Sequence, residues 1–188
     1  VTTETDALAS ALGALAEAVR AAYSAPGDAI RVLSSLAAFT ATSPSSTAPI
    51  GKAITATVTA TAALCRRAAL TSLARACAAY QPTSYDDALA VRDLAADLMD
   101  TEAETAADGG DLATFDALRA LRAAVVADLT TRGAQLPRLT TFSFPQSLPV
   151  LALAYRIYGD TRRADDLMAR VDPPNPAFMP WQFRALIS

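Results

Sequence analysis

Between Asp6 and Arg20 the chain reads "ALASALGALAEAV", and this texture dominates its first 137 residues: Ala, broken every three or four positions by Leu, Val or Ile. Ala has the highest helix propensity because it loses no side-chain entropy on ordering. Larger apolar residues at steps of three and four lay one stripe along each helix. About a quarter of the 188 residues are Ala, so the helices this chain forms can approach closely through small side chains.

The punctuation sets the helices out one by one. Leu8, Leu12, Leu15, Val19 and Tyr23 predict a helix from about Thr5 to Tyr23, with these residues inward. After "SAPGD", Asp28 is placed to N-cap a second helix carrying Ile30, Leu33, Leu36 and Phe39. The Ser/Thr/Pro-rich stretch at about 41–51 reads as a loop. A third helix is expected from about Lys52 to Tyr80, its face made by Ile54, Val58, Ala62, Cys65, Ala69, Leu73, Ala76 and Tyr80. The alternation of Thr55, Thr57, Thr59 and Thr61 could suggest a strand, but the surrounding Ala favours helix. Thr83 or Ser84 caps a fourth helix, with Asp86 and Asp87 in its positively polarised first turn, running to about Ala107. A fifth runs from Leu112 to Leu129 and is closed by Gly133.

After Pro137 the texture changes. "LTTFSF" is β-prone and reads as one short extended segment. Ser147 is placed to cap a helix over about 148–158, with Pro149 tolerated in the first turn. Gly159 stops it in the left-handed conformation, and Asp160 or Thr161 opens a second helix ending near Val171. "DPPNPAFMP" reads as extended. The fold class is therefore mainly α: an Ala-rich helical bundle over 1–137, then a small C-terminal module over 138–188, helical with a short β segment.

Composition narrows the function by exclusion. Without histidine there is no imidazole base or metal ligand, and no Gly-rich phosphate loop, paired-Cys spacing or nucleophile elbow is found. Asp93, Asp97, Asp100 and Glu104 fall along one helix face; a solvated stripe opposite Val91, Leu94 and Leu98 explains them better than a cation site. Cys65 and Cys77 lie roughly 18 Å apart on one helix, beyond disulfide reach, and read as small buried hydrophobes. No catalytic, cofactor-binding or metal-ligating residue is assigned. "AITATVTATAALC" is too short for a membrane span.

Net charge is −3, with 10 basic and 15 acidic groups up to residue 137 and 6 and 4 after it. An acidic body with a mildly basic tail suits protein docking better than DNA, which demands clustered cations. Arg66, Arg67 and Arg75 are expected to pair with acidic neighbours. In the tail, Leu148, Leu151, Tyr155 and Tyr158 are assigned to one helix face, covered by Leu167, Met168 and Val171. Phe178, Met179, Trp181 and Phe183 crowd a segment with little room to bury them. They either fold back or anchor a partner, and with Tyr155, Tyr158 and Arg184 they form the candidate docking set.

"SLPVLALAYRIYGDTRRADDLMARVDPPNPAFMPWQFRALIS" resembles the C-terminal end of the DNA circularisation protein family (the N protein) of Mu-like tailed phages. The matching features are Leu148-Pro149, Tyr158-Gly159-Asp160, Arg163-Ala164-Asp165, Asn175-Pro176 and Phe178-Met179-Pro180, with "RLTTFSFPQS" as the extended lead-in. Where the family more often has Asn directly after Ala-Arg, this chain has "VDPPNP". The resemblance covers about the last 50 residues. It implies a structural protein of the virion, at the tail baseplate, joining the hub or spike to the tube and contacting other tail proteins. Family members are longer, which together with the absent initial Met implies a C-terminal portion. Packing of the bundle into a symmetric trimer or hexamer is expected. More weakly, "YGD…ADDLMARV…NPAFMP" resembles the LysM module, a βααβ fold that can bind peptidoglycan or serve purely for docking.

Overall fold

The structure, a computed structural model, describes residues 2–42 and 46–186. It is mainly helical and divides into two compact units: residues 1–81 with 89–132, and residues 82–88 with 133–188. The stretches 82–88 and 133–137, which the sequence reading grouped with the bundle, cluster with the C-terminal part.

The first unit holds α1 (Thr2–Ala22), α2 (Pro26–Ala37), α3 (Pro49–Ala79), most of α4 (Tyr85–Asp108) and α5 (Leu112–Gly133) but for its last residue. Its core is built from α2 to α5, around Leu33, Leu70, Leu73, Met99, Val125 and Leu129. Each such side chain contributes roughly 1.5–3 kcal/mol when fully buried. Between them lie Ala29, Ala69, Ala76, Ala95 and Ala103, the close-approach positions the composition implied.

Several local expectations change. Asp28 is not the cap of α2: Ala25 holds that position, Pro26 supplies the pre-set φ of the first turn, and Asp28 pairs with Arg31 at 3.0 Å. α3 begins at Pro49, shortening the 41–51 loop, of which residues 43–45 lie outside the described residues. Its Thr-rich half is helical. The Thr57 and Thr61 hydroxyls donate to the carbonyls of Ala53 and Thr57 at 3.0 and 2.9 Å, so these side chains bond back onto the helix rather than compete with it. The inner face of α1 is also narrower than its periodicity suggested: among its described side chains only Ala16 is fully buried, while Leu8 and Leu15 are exposed. Ile54 on α3 and Leu94 on α4 likewise face solvent.

A polar cluster in this unit centres on the buried Glu102. The Glu102 carboxylate accepts from Arg66 Nε at 2.6 Å and Arg67 Nε at 2.9 Å, and Arg67 also reaches Asp111 at 3.0 Å. Asp111 in turn caps α5 by accepting from the Thr114 N–H at 3.2 Å. Arg132 donates to the carbonyls of Cys77 and Tyr80, satisfying the exposed acceptors at the end of α3.

The second unit carries β1 (Leu139–Ser143), α6 (Val150–Tyr158), a 3-10 turn at Thr161–Arg163, α7 (Ala164–Val171) and β2 (Gln182–Leu186). The strands pair antiparallel, from Leu139 opposite Leu186 to Ser143 opposite Gln182. β2 was not foreseen as a strand, although Phe183 and Ala185 point inward while Gln182 and Arg184 point out. Leu153, Ala154, Leu167, Met179 and Phe183 form the core, with Phe144 stacked on Phe183 at 6.0 Å between ring centroids.

Residues 82–88 complete this unit. The buried Ser84 caps α4, its hydroxyl accepting from the Asp87 N–H at 3.1 Å, and the Tyr85 N–H donates to the Pro137 carbonyl at 3.0 Å. Gly133 has no left-handed φ, so it is not a helix stop of the expected kind. It is small because Ala88 lies against it.

Candidate functional site

The motif residues of the C-terminal segment act first as joints. The Gly159 φ of 70° ends α6, its N–H bonded to the Tyr155 carbonyl at 2.9 Å. The Asp160 carboxylate accepts from the Arg162 N–H at 2.9 Å and so caps the 3-10 turn. Asn175 and Pro176 are not extended, contrary to expectation. The Asn175 side-chain oxygen accepts from the Ala177 N–H at 2.9 Å and its carbonyl from the Phe178 N–H at 3.0 Å, giving an Asx-type turn with Pro at its second position.

That turn is tied to the start of α6. Val150 N–H donates to the Pro176 carbonyl at 2.9 Å, and Met179 N–H to the Leu148 carbonyl at 3.1 Å. Ser147 does not cap α6. Its hydroxyl donates to the Met179 carbonyl at 2.7 Å, and Pro149 takes the N-cap position instead. The Val150 N–H, unpaired within its own helix, thus finds its acceptor in the loop. Pro180 is exposed just before β2.

This scaffold sorts the candidate docking residues. Met179 and Phe183 are core side chains, 1% and 6% exposed, so neither is presented to a partner. Tyr158 is half-buried, its ring covered by the Arg163 guanidinium at 3.9 Å, and burial pushes its phenol above the ordinary value. Arg184 is paired with Asp86. Tyr155, Phe178 and Trp181 remain outside, each more than 60% exposed.

The inner face of α6 also differs from expectation. Val150, Leu153 and Ala154 point inward with Ile157 beside them, whereas Leu151 and Tyr155 point out. Both faces of "VLALAYRIY" are apolar, so periodicity alone allowed either. Leu151, one turn before Tyr155, is the surface residue the sequence reading missed.

Two carboxylates of the acidic stripe of α4 pair with arginines, and Asp93, Asp97 and Glu104 are exposed. Asp93 pairs with Arg92 at 2.8 Å and Asp100 with Arg122 at 2.7 Å, while Arg119 and Arg122 line the same cleft as Glu104. Among the described residues, no group of three or more His, Cys, Asp or Glu could hold a metal ion, and no helix is long and apolar enough to cross a membrane. Comparison of the chain with protein-family models gives no match, and comparison with curated proteins gives none either.

Proposed function

We propose that this chain is a non-enzymatic structural component of a phage tail, acting at the baseplate end of the virion and joining the hub or spike region to the tail tube through protein–protein contacts. The observation that carries the reading is the division of labour in the C-terminal unit. Pro149, Gly159, Asp160 and Asn175 of the resemblance form its caps, stops and turns, and Tyr155, Phe178 and Trp181, with Leu151, are left facing solvent. Aromatic side chains held on a rigid scaffold are the usual anchors of protein interfaces. The partners would be other tail proteins, with the bundle packed into a trimeric or hexameric ring.

DNA contact fits less well. Arg66, Arg67, Arg170 and Arg184 are each engaged by a carboxylate, and the chain carries a net charge of −3, which disfavours a phosphate backbone. Cryo-EM of an intact particle tests the reading: the chain should lie at the baseplate end of the tail, and Phe178→Ala with Trp181→Ala should stop tail assembly without unfolding the protein. Full infectivity of that double variant, or absence of the chain from the particle, would sink it.

A second reading is peptidoglycan binding by the C-terminal unit. It is favoured by the order strand, helix, helix, strand with the two strands antiparallel. Retention of the whole chain on purified peptidoglycan, lost in the same double variant, would support this reading over purely structural docking.

A further inference from the structure

The helix α1 is apolar on every side from Ala7 to Ala16, Ser10 apart. A helix of that kind is ordinarily buried all round. Here Ala16 alone in that stretch is fully buried, and Leu15 is 61% exposed. Beside it runs an apolar groove of about 340 Å³, lined by Leu12, Val19, Leu36, Phe39, Cys65 and Ala69, with Leu15 on its lip. A projecting side chain and a cavity to receive it thus share one surface. That is the requirement for an isologous contact, in which each copy supplies the same patch.

Spacing and charge specify how the copies meet. Leu8 and Leu15, seven residues and about two turns apart, are the large apolar side chains of α1 left exposed, while Val19 packs on the bundle's own core. The exposed Glu4 and Asp6 make the start of α1 negative. Its other end carries Arg20, with Arg75 of α3 beside it, and both share Glu17 at 2.6 and 3.3 Å, leaving that end positive. Parallel association would oppose the two acidic ends; antiparallel association sets each acidic end against a basic one.

We infer that α1 docks antiparallel on α1 of a second copy of this chain, about a two-fold axis, with each Leu15 entering the groove of the other. The inference stands on the bundle alone and does not need the phage-tail reading. A two-fold contact of this kind admits a hexamer built from dimers but not a cyclic trimer held by this surface.

Sedimentation equilibrium of the full chain tests it. The 19.5 kDa chain should associate in multiples of two. Leu15→Glu should raise the dissociation constant by at least about thirtyfold, the effect of removing a central anchor, or halve the mass of a larger assembly. The control Leu112→Glu, at an equally exposed leucine of α5, should change nothing. Glu4→Arg with Asp6→Arg should weaken association, and adding Arg20→Glu should restore it. Circular dichroism verifies that each variant is folded. A wild-type chain that stays monomeric to about 100 μM, or an assembly that folded Leu15→Glu leaves intact, would overturn the inference.

Discussion

The carboxylate of Asp86, in the first turn of α4, accepts a hydrogen bond from the backbone N–H of Leu139 at 2.8 Å, 53 residues further along the chain. The same side chain pairs with Arg184 on β2. One residue thus holds the entry of β1 and the outer face of its partner strand. Asp87 adds an ion pair to Arg170 at 3.4 Å and accepts from the Thr83 hydroxyl at 2.7 Å.

This arrangement predicts acid sensitivity of the second unit. The Leu139 N–H, followed by Arg184, holds the Asp86 carboxyl below its ordinary value. Burial pushes Asp87 up, but the hydroxyls of Thr83 and Ser84 with Arg170 outweigh it and leave the carboxyl lowered. Carboxylates lowered on folding contribute stability above their unfolded value, about 3.9, which is lost as pH falls through the lower folded values. Hydrogen exchange, corrected for intrinsic rates, should show protection of β1 and β2 falling below about pH 4 in the wild type. Asp86→Asn should already show reduced protection at pH 7. Unchanged protection at Leu139 in that variant would remove the assigned role.

Glu102 is the buried counterpart in the bundle, 2% exposed and shared by Arg66 and Arg67. Removing it leaves two partly buried guanidinium groups without their common carboxylate. Glu102→Ala is expected to cost about 3 kcal/mol, read as a lower urea midpoint at unchanged slope. Asp93→Ala, whose partner Arg92 is its neighbour in sequence, should change stability by less than about 1 kcal/mol.

These two clusters also show which parts of the fold were legible. Gly159 was read correctly as a stop, and Ser84 and Asp160 were each one of two residues named for a cap, because capping is set by a side chain and the backbone two or three residues away. Asp28 and Ser147 carried the same signal and do not cap. The face of α6 was not, since Leu151 and Tyr155 make as good an apolar stripe as Val150, Leu153 and Ile157; only the packed loop and strand choose between them. The exposed face of α1 was missed for a related reason: where every side is apolar, periodicity cannot say which side is covered. β2 has a clear in-and-out pattern, but it is five residues long and its partner lies about forty positions earlier. Asp86 was placed at the helix start for its charge, and nothing in the sequence linked it to Leu139.

Gly133 offers a test of packing against propensity. A Cβ at this position would stand 2.8 Å from the Cβ of Ala88, and neither is the end of a flexible chain. Within a helix, Gly→Ala ordinarily stabilises by about 1 kcal/mol. Here the clash should outweigh that gain, since overpacking costs roughly 1–3 kcal/mol, so Gly133→Ala should lower the melting temperature. Paired with Ala88→Gly, which removes the opposing methyl, it should recover most of the loss. A stabilised Gly133→Ala single variant would show that α5 can shift at this point.

Cys77 gives the bundle a dependence on alkaline pH. It is 1% exposed, and burial pushes its thiol up to about 11, with Arg132 pulling slightly the other way. A thiol raised on folding favours the protonated native state. Its contribution is therefore full below the unfolded value, about 8.5, and is lost as pH rises towards the folded one. The loss should reach roughly 1–2 kcal/mol by pH 10. Urea unfolding of wild type at pH 8 and pH 10 should show this difference, and Cys77→Ala should reduce it. Because only the thiolate attacks, Cys77 should react with maleimide at pH 7.5 no faster than the bundle opens, with peptide mass spectrometry distinguishing it from Cys65. Rapid native-state labelling of Cys77 would contradict its burial in the core of the bundle.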